Sequence, residues 1–489
     1  MARARLLLVF LVALVCLGAL AGKRGLTRSS EANHYSHMAL AWLDGRLAHE
    51  GNPPGYERRR HDDWGVVYTV EFKPRAGLEG PIRGYPCKRA ACLEQRRKQG
   101  IETWLTTDGR EVSVKRRDVQ RRARTWYVTF PPAPALLMLP WVALWGAPIW
   151  DGLFTVLLGA LTPVVLVYFL DRARGLADGR DREHLWIAAA WTLASPACWV
   201  SSHGAVWFTA QTVGALLVTL YLALSWEARR PAAAGLCLAL AVASRVTPAF
   251  ALPVFLVEWW RSGRKPLALV KFAAPLVITA AALMWMNAAR FDDPLQFGHR
   301  YLEIRWQQRI QELGMFSLQY LPRNLEAALW LRPQVITSGG PWLRWSQHGM
   351  GLLVGCPWLW ALIWARDRGD AKPKQPSEER PAPSGRLTLA QRVALWVAIV
   401  GTATPTLLYQ NTGFRQFSYR FAMDYLPMLL LLLAFGGAAR GRRRRLVFAV
   451  LVVLGALVQL YGAWYWGRAP GRLFVRDMWW PFVDLTAAG

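Results

Sequence analysis

Two kinds of residue in this chain could do chemistry by type and place: carboxylates beside a histidine or an aromatic ring, and arginines inside or beside apolar segments. The carboxylates gather after the first apolar run. Glu31 precedes His34 and Tyr35, and Asp63 stands beside Trp64, with His61 and Asp62 just before it. A carboxylate so placed can take a proton from a hydroxyl, and a histidine can orient it or hold an anion. Plainer roles stay open. Glu31 would also favour the dipole of a helix beginning there. Asp63 and the weaker candidate Asp62 would also serve as solvated loop acids, and His34 as polar filler at a membrane face. The arginines are Arg245, Arg300 in His299-Arg300-Tyr301, and Arg415 and Arg420 flanking Tyr419. An unpaired arginine in hydrocarbon is costly, so Arg245 must face a cavity, an acid such as Glu258, or a lipid phosphate. Arg415, Tyr419 and Arg420 are suited to clamping a phosphate. Arg420 and Asp424 also have the spacing of a plain i,i+4 ion pair.

The elements that must position these groups are mostly apolar helices. The chain has 489 residues, and apolar runs recur from residue 6 to residue 466. Most approach the ~20 residues that a bilayer-spanning helix needs. The expected spans are a first helix within 1–30, then 132–147, 150–170, 185–200, 205–225, 232–246, 248–260, 266–288, 349–365, 392–410, 425–438 and 446–466. The fold class is therefore an all-α polytopic membrane protein of about eleven or twelve transmembrane helices. Arg3 and Arg5 before the first span place the N-terminus in the cytoplasm. Ala19-Leu20-Ala21 also resembles a signal-peptide cleavage site, but the spans that follow favour a retained helix. Arg172, Arg174, Arg180, Arg182, Arg229 and Arg230 all prefer the cytoplasmic side, and strict alternation of these spans does not satisfy them all. One Pro/Gly-broken segment, 132–147 or 232–260, is then re-entrant.

Between the first helix and the next apolar segment lies an external loop, 31–131. Tyr35, Met38, Ala39, Trp42 and Leu43 have helical spacing, which predicts an amphipathic helix on the outer membrane face. Asp108-Gly109 between two β-prone runs predicts a hairpin over 103–114, hence a small β subdomain. Cys87 and Cys92 lie close together there and are a candidate disulfide if the loop is outside the cytoplasm. A zinc site is weaker, because no second ligand pair is nearby. Residues 132–288 carry transmembrane helices and 289–348 a second external loop. Residues 349–466 carry further helices around a charged, Pro-rich, disordered cytoplasmic linker at 366–391. An external tail, 467–489, ends the chain. Lys and Arg number 59 against 32 Asp and Glu, a formal charge of +27. In a membrane protein such an excess holds orientation against anionic headgroups, so membrane lipids are the expected counter-ions and nucleic acid is not. The arginine clusters of the first loop, Arg58 to Arg60 and Arg121-Arg122 among them, read as a solvated or headgroup-facing surface.

Taken in order, these residues resemble a family. Glu31 and Tyr35 after a first helix, a helix ending in Leu43-Asp44-Gly45-Arg46-Leu47, and Pro131-Pro132 opening the next span resemble the GT-C class of membrane glycosyltransferases. Protein-mannosyltransferases and the lipid A aminoarabinose transferase belong to that class. Ala243-Ser244-Arg245-Val246-Thr247-Pro248 is similar to its break in a middle helix. Asn287 to Pro294 with Gln296-Phe297-Gly298 is similar to the start of its later external loop. Gly413 to Phe421 before Asp424-Tyr425-Leu426-Pro427 is similar to a late block of its bacterial members. The chain departs from the class in two places. Glu31, followed by Ala32, stands where members have Asp, and 73–124 is an insertion.

The resemblance implies an inverting transfer of a sugar from a polyprenyl-phosphate donor to a glycan, lipid or protein acceptor, outside the cytoplasm of a bacterial-type inner membrane. It implies Glu31 or Asp63 as the base, and His34, Tyr35, Arg245, Arg300, Arg415, Tyr419 and Arg420 around substrate and phosphate. Some members use a divalent ion held by acids; no metal-ligand cluster stands out here, and no cofactor is assigned. Rival readings are a transporter or lipid-handling protein, and an inactive relative acting as a scaffold.

Overall fold

The computed structural model describes residues 2–57, 63–73, 80–147, 149–176, 180–304, 306–337, 342–365 and 386–475. His61, Asp62, Arg58 to Arg60, most of the linker and most of the tail lie outside the described residues. The helices run in order α1 (Ala2–Thr27), α2 (His34–Leu43), α3 (Ala90–Gln99), α4 (Ala133–Trp145), α5 (Asp151–Arg174), α6 (Arg180–Thr192), α7 (Ala197–Val200), α8 (Val206–Ser225) and α9 (Pro231–Val242). They continue with α10 (Leu252–Arg261), α11 (Pro266–Phe291), α12 (Gln307–Leu313), α13 (Leu321–Leu329), α14 (Leu352–Gly355), α15 (Leu389–Leu408), α16 (Leu426–Phe435), α17 (Gly441–Arg468) and α18 (Pro470–Leu473). Strands β1 (Gly65–Phe72), β2 (Ile82–Pro86), β3 (Ile101–Thr106), β4 (Glu111–Lys115) and β5 (Val119–Tyr127) lie between α2 and α4.

The chain divides into two compact units. The helical unit comprises Met1–Ser30, Trp150–Val277 and Gln319–Trp479; the loop unit comprises Glu31–Ile149 and Ile278–Leu318. Among the described residues five helices are long and apolar enough to cross a membrane: α1, α5, α8, α11 and α17. Large apolar side chains such as Leu8, Val15, Val277, Ile278 and Trp285 stand exposed on α1 and α11, a surface that suits lipid rather than water. The other expected spans take different forms. Helices α4, α9 and α16 are apolar but shorter. Segment 349–365 is not one helix: Gly355-Cys356-Pro357 ends α14, and a 3₁₀ stretch, Pro357–Ile363, follows, because proline cannot continue the α-helical ladder. Segment 185–200 is divided between α6 and α7 at Ser195-Pro196. The linker expected to reach 391 ends earlier, since α15 already starts at Leu389. Thr388 caps it, accepting from the Gln391 N–H, while the Gln391 side chain reaches back to Thr388.

Within the helical unit the polar contacts give each helix a direction. Arg5 on α1 pairs with Asp171 near the end of α5, and a Cβ on Gly152 at the start of α5 would lie 2.0 Å from the Gly25 carbonyl. The two helices therefore run antiparallel and touch through glycine. Asp151 accepts from the Ala205 N–H at the start of α8, while Phe169 meets Trp226 beyond its end, so α5 and α8 run parallel. Arg172, Arg174, Arg229 and Arg230 thus fall on the side of Arg5. Because α4, with 13 residues, belongs to the loop unit, the chain leaves and re-enters the helical unit on one side. That removes the conflict in strict alternation.

The loop unit is more ordered than a hairpin. Its five strands form an antiparallel sheet in the order β4-β3-β2-β1-β5. Gly109, at positive φ, turns the chain between β3 and β4, as Asp-Gly requires. Strands β1 and β5, distant in sequence, pair from Gly65↔Tyr127 to Phe72↔Val119. Val67, Tyr85, Tyr127, Phe291 and Tyr301 fill a core on the sheet. Cys87 and Cys92 are joined by a disulfide. Helix α2 is not a surface helix: His34, Tyr35, Ser36, Met38, Ala39 and Ala41 are buried, and it packs against α4.

Asp151 is a polar fastening at the start of α5, joining the end of the first helical segment to the start of α8. It is 1% exposed, accepts from the Ser30 and Ala205 N–H groups at 2.8 and 2.9 Å, and sits at the positive end of α5. A side chain on Gly204 would collide with it. Asp151→Ala leaves the buried Ala205 N–H and the part-buried Ser30 N–H unpaired, at about 1–3 kcal/mol for the buried one and less for the other. The expected outcome is a lowered thermal unfolding temperature in detergent, with Ser30→Ala lowering it less; an unchanged midpoint for Asp151→Ala would contradict this role.

Candidate functional site

The sequence-predicted residues fall in both units. Glu31, His34, Tyr35, Asp63 and Arg300 belong to the loop unit; Arg245, Arg415, Tyr419 and Arg420 belong to the helical unit.

In the loop unit the start of α2 sets the geometry. Asn33 donates to the Ile149 carbonyl at 3.1 Å, and Ser36 donates to the Asn33 carbonyl at 3.0 Å. This fixes His34, which is 1% exposed, stacked on Trp64 at 4.7 Å and edge-on to Phe130. His34 Nε2 lies 3.0 Å from Asp63 Oδ2, and the Asp63 side chain keeps 18% exposure. The contact has ion-pair distance without hydrogen-bond geometry, so it places a partly exposed carboxylate beside a buried imidazole but does not fix its direction. Two more histidines surround Trp64: His49 at 4.9 Å and His37 at 6.1 Å, themselves 5.3 Å apart. Burial, then the charges of His49 and His34, holds His37 down to about 4. Burial likewise lowers His49. Glu31 is exposed in the turn before α2. Tyr35 is buried against Phe130, and Arg300 is exposed in the 3₁₀ turn His299–Tyr301.

In the helical unit three segments meet. Helix α9 ends at Val242, and the broken stretch before and at Pro248, which opens a 3₁₀ turn, carries Arg245 and Thr247. Asp424 is fully buried and takes Arg245 Nε at 2.6 Å and the Thr247 hydroxyl at 2.6 Å. Arg245 therefore has an acid partner, but not Glu258; Glu258 is held by Gln391, Arg261 and the Glu227 N–H. The i,i+4 pair between Arg420 and Asp424 does not form. Residues Arg420–Asp424 are a 3₁₀ turn, in which side chains four apart do not stack. Arg420, 7% exposed, instead donates to the Gly413 carbonyl at 3.1 Å and to Gln211 Oε1 at 3.3 Å. Phe421 lies between the two guanidinium groups, at 5.5 Å from Arg245 and 5.0 Å from Arg420. Tyr419 is buried beside them, its hydroxyl 3.2 Å from Thr406. Arg415 is outside this group, exposed and bonded to Gln347 at 3.3 Å.

Set against known proteins, the chain matches no protein family, no curated protein and no solved structure. The function must therefore be argued from the groups themselves.

Sequence reasoning passed over Gln211, Gln416 and Thr247, which hold the arginines, and His37 and His49, which close around Trp64. Gln211 could have been found, being a lone amide inside the apolar run of α8. Gln416 is the hub of the late block: it donates to the His348 and Thr412 carbonyls and accepts from the Arg420 N–H. Among the described residues no group of three or more His, Cys, Asp and Glu is placed to hold a metal ion.

His37 gives a pH test. Its folded value lies below the unfolded value of about 6.5, so its contribution to stability is complete above that pH and is lost as pH falls towards about 4. Lowering pH from 7 to 4.5 should therefore lower the unfolding temperature, and His37→Asn should reduce the slope in that window. An unchanged slope in the variant would show that His37 does not stay neutral in the fold.

Proposed function

We propose that this protein is a membrane glycosyltransferase of the GT-C kind, moving a sugar from a polyprenyl-phosphate donor to a hydroxyl acceptor. The observation that supports it most is Arg420. A guanidinium buried in the helical unit has only neutral hydrogen-bond partners among the described residues, while the nearby acid, Asp424, is engaged by Arg245 and Thr247. Two cations against one anion leave a local positive charge, and a buried charge without a counter-ion is costly. A lipid phosphate supplies that counter-ion, and Arg420 together with Arg245 would then stabilise the charge that develops on it.

The reaction needs one further group. The acceptor hydroxyl loses its proton to a carboxylate as its oxygen bonds the anomeric carbon. The bond from that carbon to the phosphate oxygen breaks, its electron pair leaves on the phosphate, and the configuration inverts. Asp63, whose carboxylate keeps 18% exposure and lies 3.0 Å from the buried His34 imidazole, is assigned as the base, with Glu31 in the turn before α2 as the second candidate. No general acid is required, since phosphate is already a good leaving group.

The test uses the full chain in nanodiscs with undecaprenyl phosphate as the probe. Arg420→Gln should weaken retention of the lipid at least 10-fold, with Arg420→Lys between it and the parent. Asp63→Asn should leave lipid binding intact and cut sugar transfer by roughly 10²–10⁴-fold, the usual worth of a general base. Equal retention by Arg420→Gln overturns the phosphate site, and transfer intact in both Asp63→Asn and Glu31→Gln overturns the base. A transporter would tolerate the carboxylate changes and move substrate in liposomes.

A further inference from the structure

The loop unit has a second feature that the transfer reading does not use. At the outer edge of the sheet, between β5 and the turn after α2, lies an open polar cleft of about 490 Å³. His49, Asn52, Arg122, Arg124, Thr125 and Trp126 line it. The edge is made by one backbone contact: the His49 N–H donates to the Trp126 carbonyl at 2.8 Å, after which the chain turns away through Gly51. Arg122 and Arg124 are two apart on β5, so both side chains leave the same face.

Their surroundings differ. Arg122 is paired with Glu102 at 2.6 Å. Arg124 has no carboxylate at ion-pair distance among the described residues; it donates to the Tyr56 hydroxyl and lies over the rings of Tyr56 at 5.8 Å and Tyr68 at 5.5 Å. The Tyr68 hydroxyl is itself turned to Glu303. Aromatic faces hold the guanidinium in one orientation without neutralising it. The rest of the lining is polar and capable of hydrogen bonding: an amide, a hydroxyl and an imidazole whose pKa burial lowers. Arg122 is engaged by Glu102, and Glu303 reaches Arg124 only through its field, so Arg124 is the guanidinium left for a ligand, one with an anionic group and several hydroxyls. The volume lies within the range of small-molecule sites.

We propose that this cleft binds an anionic saccharide, its carboxylate or phosphate on Arg124 and its hydroxyls on Asn52, Thr125 and His49. The proposal stands on the loop unit alone and does not require the transfer reaction.

Binding to the full-length protein in neutral-lipid nanodiscs tests it, by calorimetry or saturation-transfer NMR, with glucuronate and glucose 6-phosphate as probes and glucose as the neutral control. The expected result is binding of an anionic probe at least 10-fold tighter than glucose, weakened at least 10-fold by Arg124→Gln and less by Arg124→Lys. Asn52→Ala should cost a few-fold. Arg97→Gln, on the exposed end of α3, should cost nothing. The two probes distinguish carboxylate from phosphate as the anion. Equal binding by Arg124→Gln overturns the proposal. An equal loss in Arg97→Gln overturns it too, since the effect would then be that of basic surface at large. Retention of both probes only in anionic-lipid nanodiscs, or their displacement by such lipid, reassigns the cleft to headgroups and overturns the saccharide. Unfolding curves for Arg124→Gln that match the parent show that any loss is one of binding.

Discussion

The helical unit depends on the fully buried carboxylate of Asp424 and its two partners from the broken end of α9. Removing water from such a group costs several kcal/mol, and only a close cation with good hydrogen bonds offsets it. Arg245 and Thr247 can reach Asp424 because α9 stops at Val242; one more turn of α-helix would carry both side chains elsewhere. The stem of Arg245 lies on Gly214 of α8, where a Cβ would stand 3.5 Å from Arg245 Cδ. One ion pair thus joins the α9 break, the late 3₁₀ turn and α8. Losing one partner would leave an uncompensated buried charge, roughly 3–5 kcal/mol. The same pairing leaves Arg420 without an acid, so the site's positive charge follows from how its one carboxylate is engaged.

Several features were legible in the sequence because their cause is local. Asp108-Gly109 announces its turn, Pro248 announces the break, and an arginine in an apolar run announces that it needs a partner. Features set by distant segments were not. The sheet is five strands rather than one hairpin because β1 meets β5 across the whole insertion, and no local pattern encodes that pairing. Arg245 was expected to face a cavity, a lipid phosphate or an acid, with Glu258 the acid close in sequence; the acid it meets is Asp424, far along the chain. The Arg420–Asp424 spacing misled because it assumes an α-helical pitch, whereas the backbone there is 3₁₀. His34 and Asp63 were each visible as candidates; their pairing was not, since it depends on Trp64 stacking on the imidazole.

Helix length was misread for a related reason. Composition marks a segment as apolar but does not say how far the backbone ladder continues. Segment 132–147 is as apolar as a span, yet α4 has 13 residues, about 20 Å at the helical rise, short of a hydrocarbon core of about 30 Å. Taking it as a span forces the basic residues after α5 and after α8 onto the side opposite Arg5, which is why 132–147 was one of the two segments expected to be re-entrant. Placing it in the loop unit, against α2, sets Arg172, Arg174, Arg229 and Arg230 on the side of Arg5.

The large positive charge then divides by role. Some arginines gather at one end of the helices, as orientation in a membrane requires. Many in the loop unit have acid partners: Arg83 with Asp292, Arg89 with Glu111, Arg110 with Asp108, and Arg96 and Arg122 with Glu102. A surface built only to meet headgroups would have no need of these pairs, since the lipid would supply the anions. Arg124 departs from that pattern. Strand β5 alternates towards the cleft at Arg122 and Arg124, and only the first has a carboxylate; the second has tyrosine rings on it instead. Rings of that kind restrain direction while leaving charge, which makes Arg124 a placed cation rather than one more basic side chain.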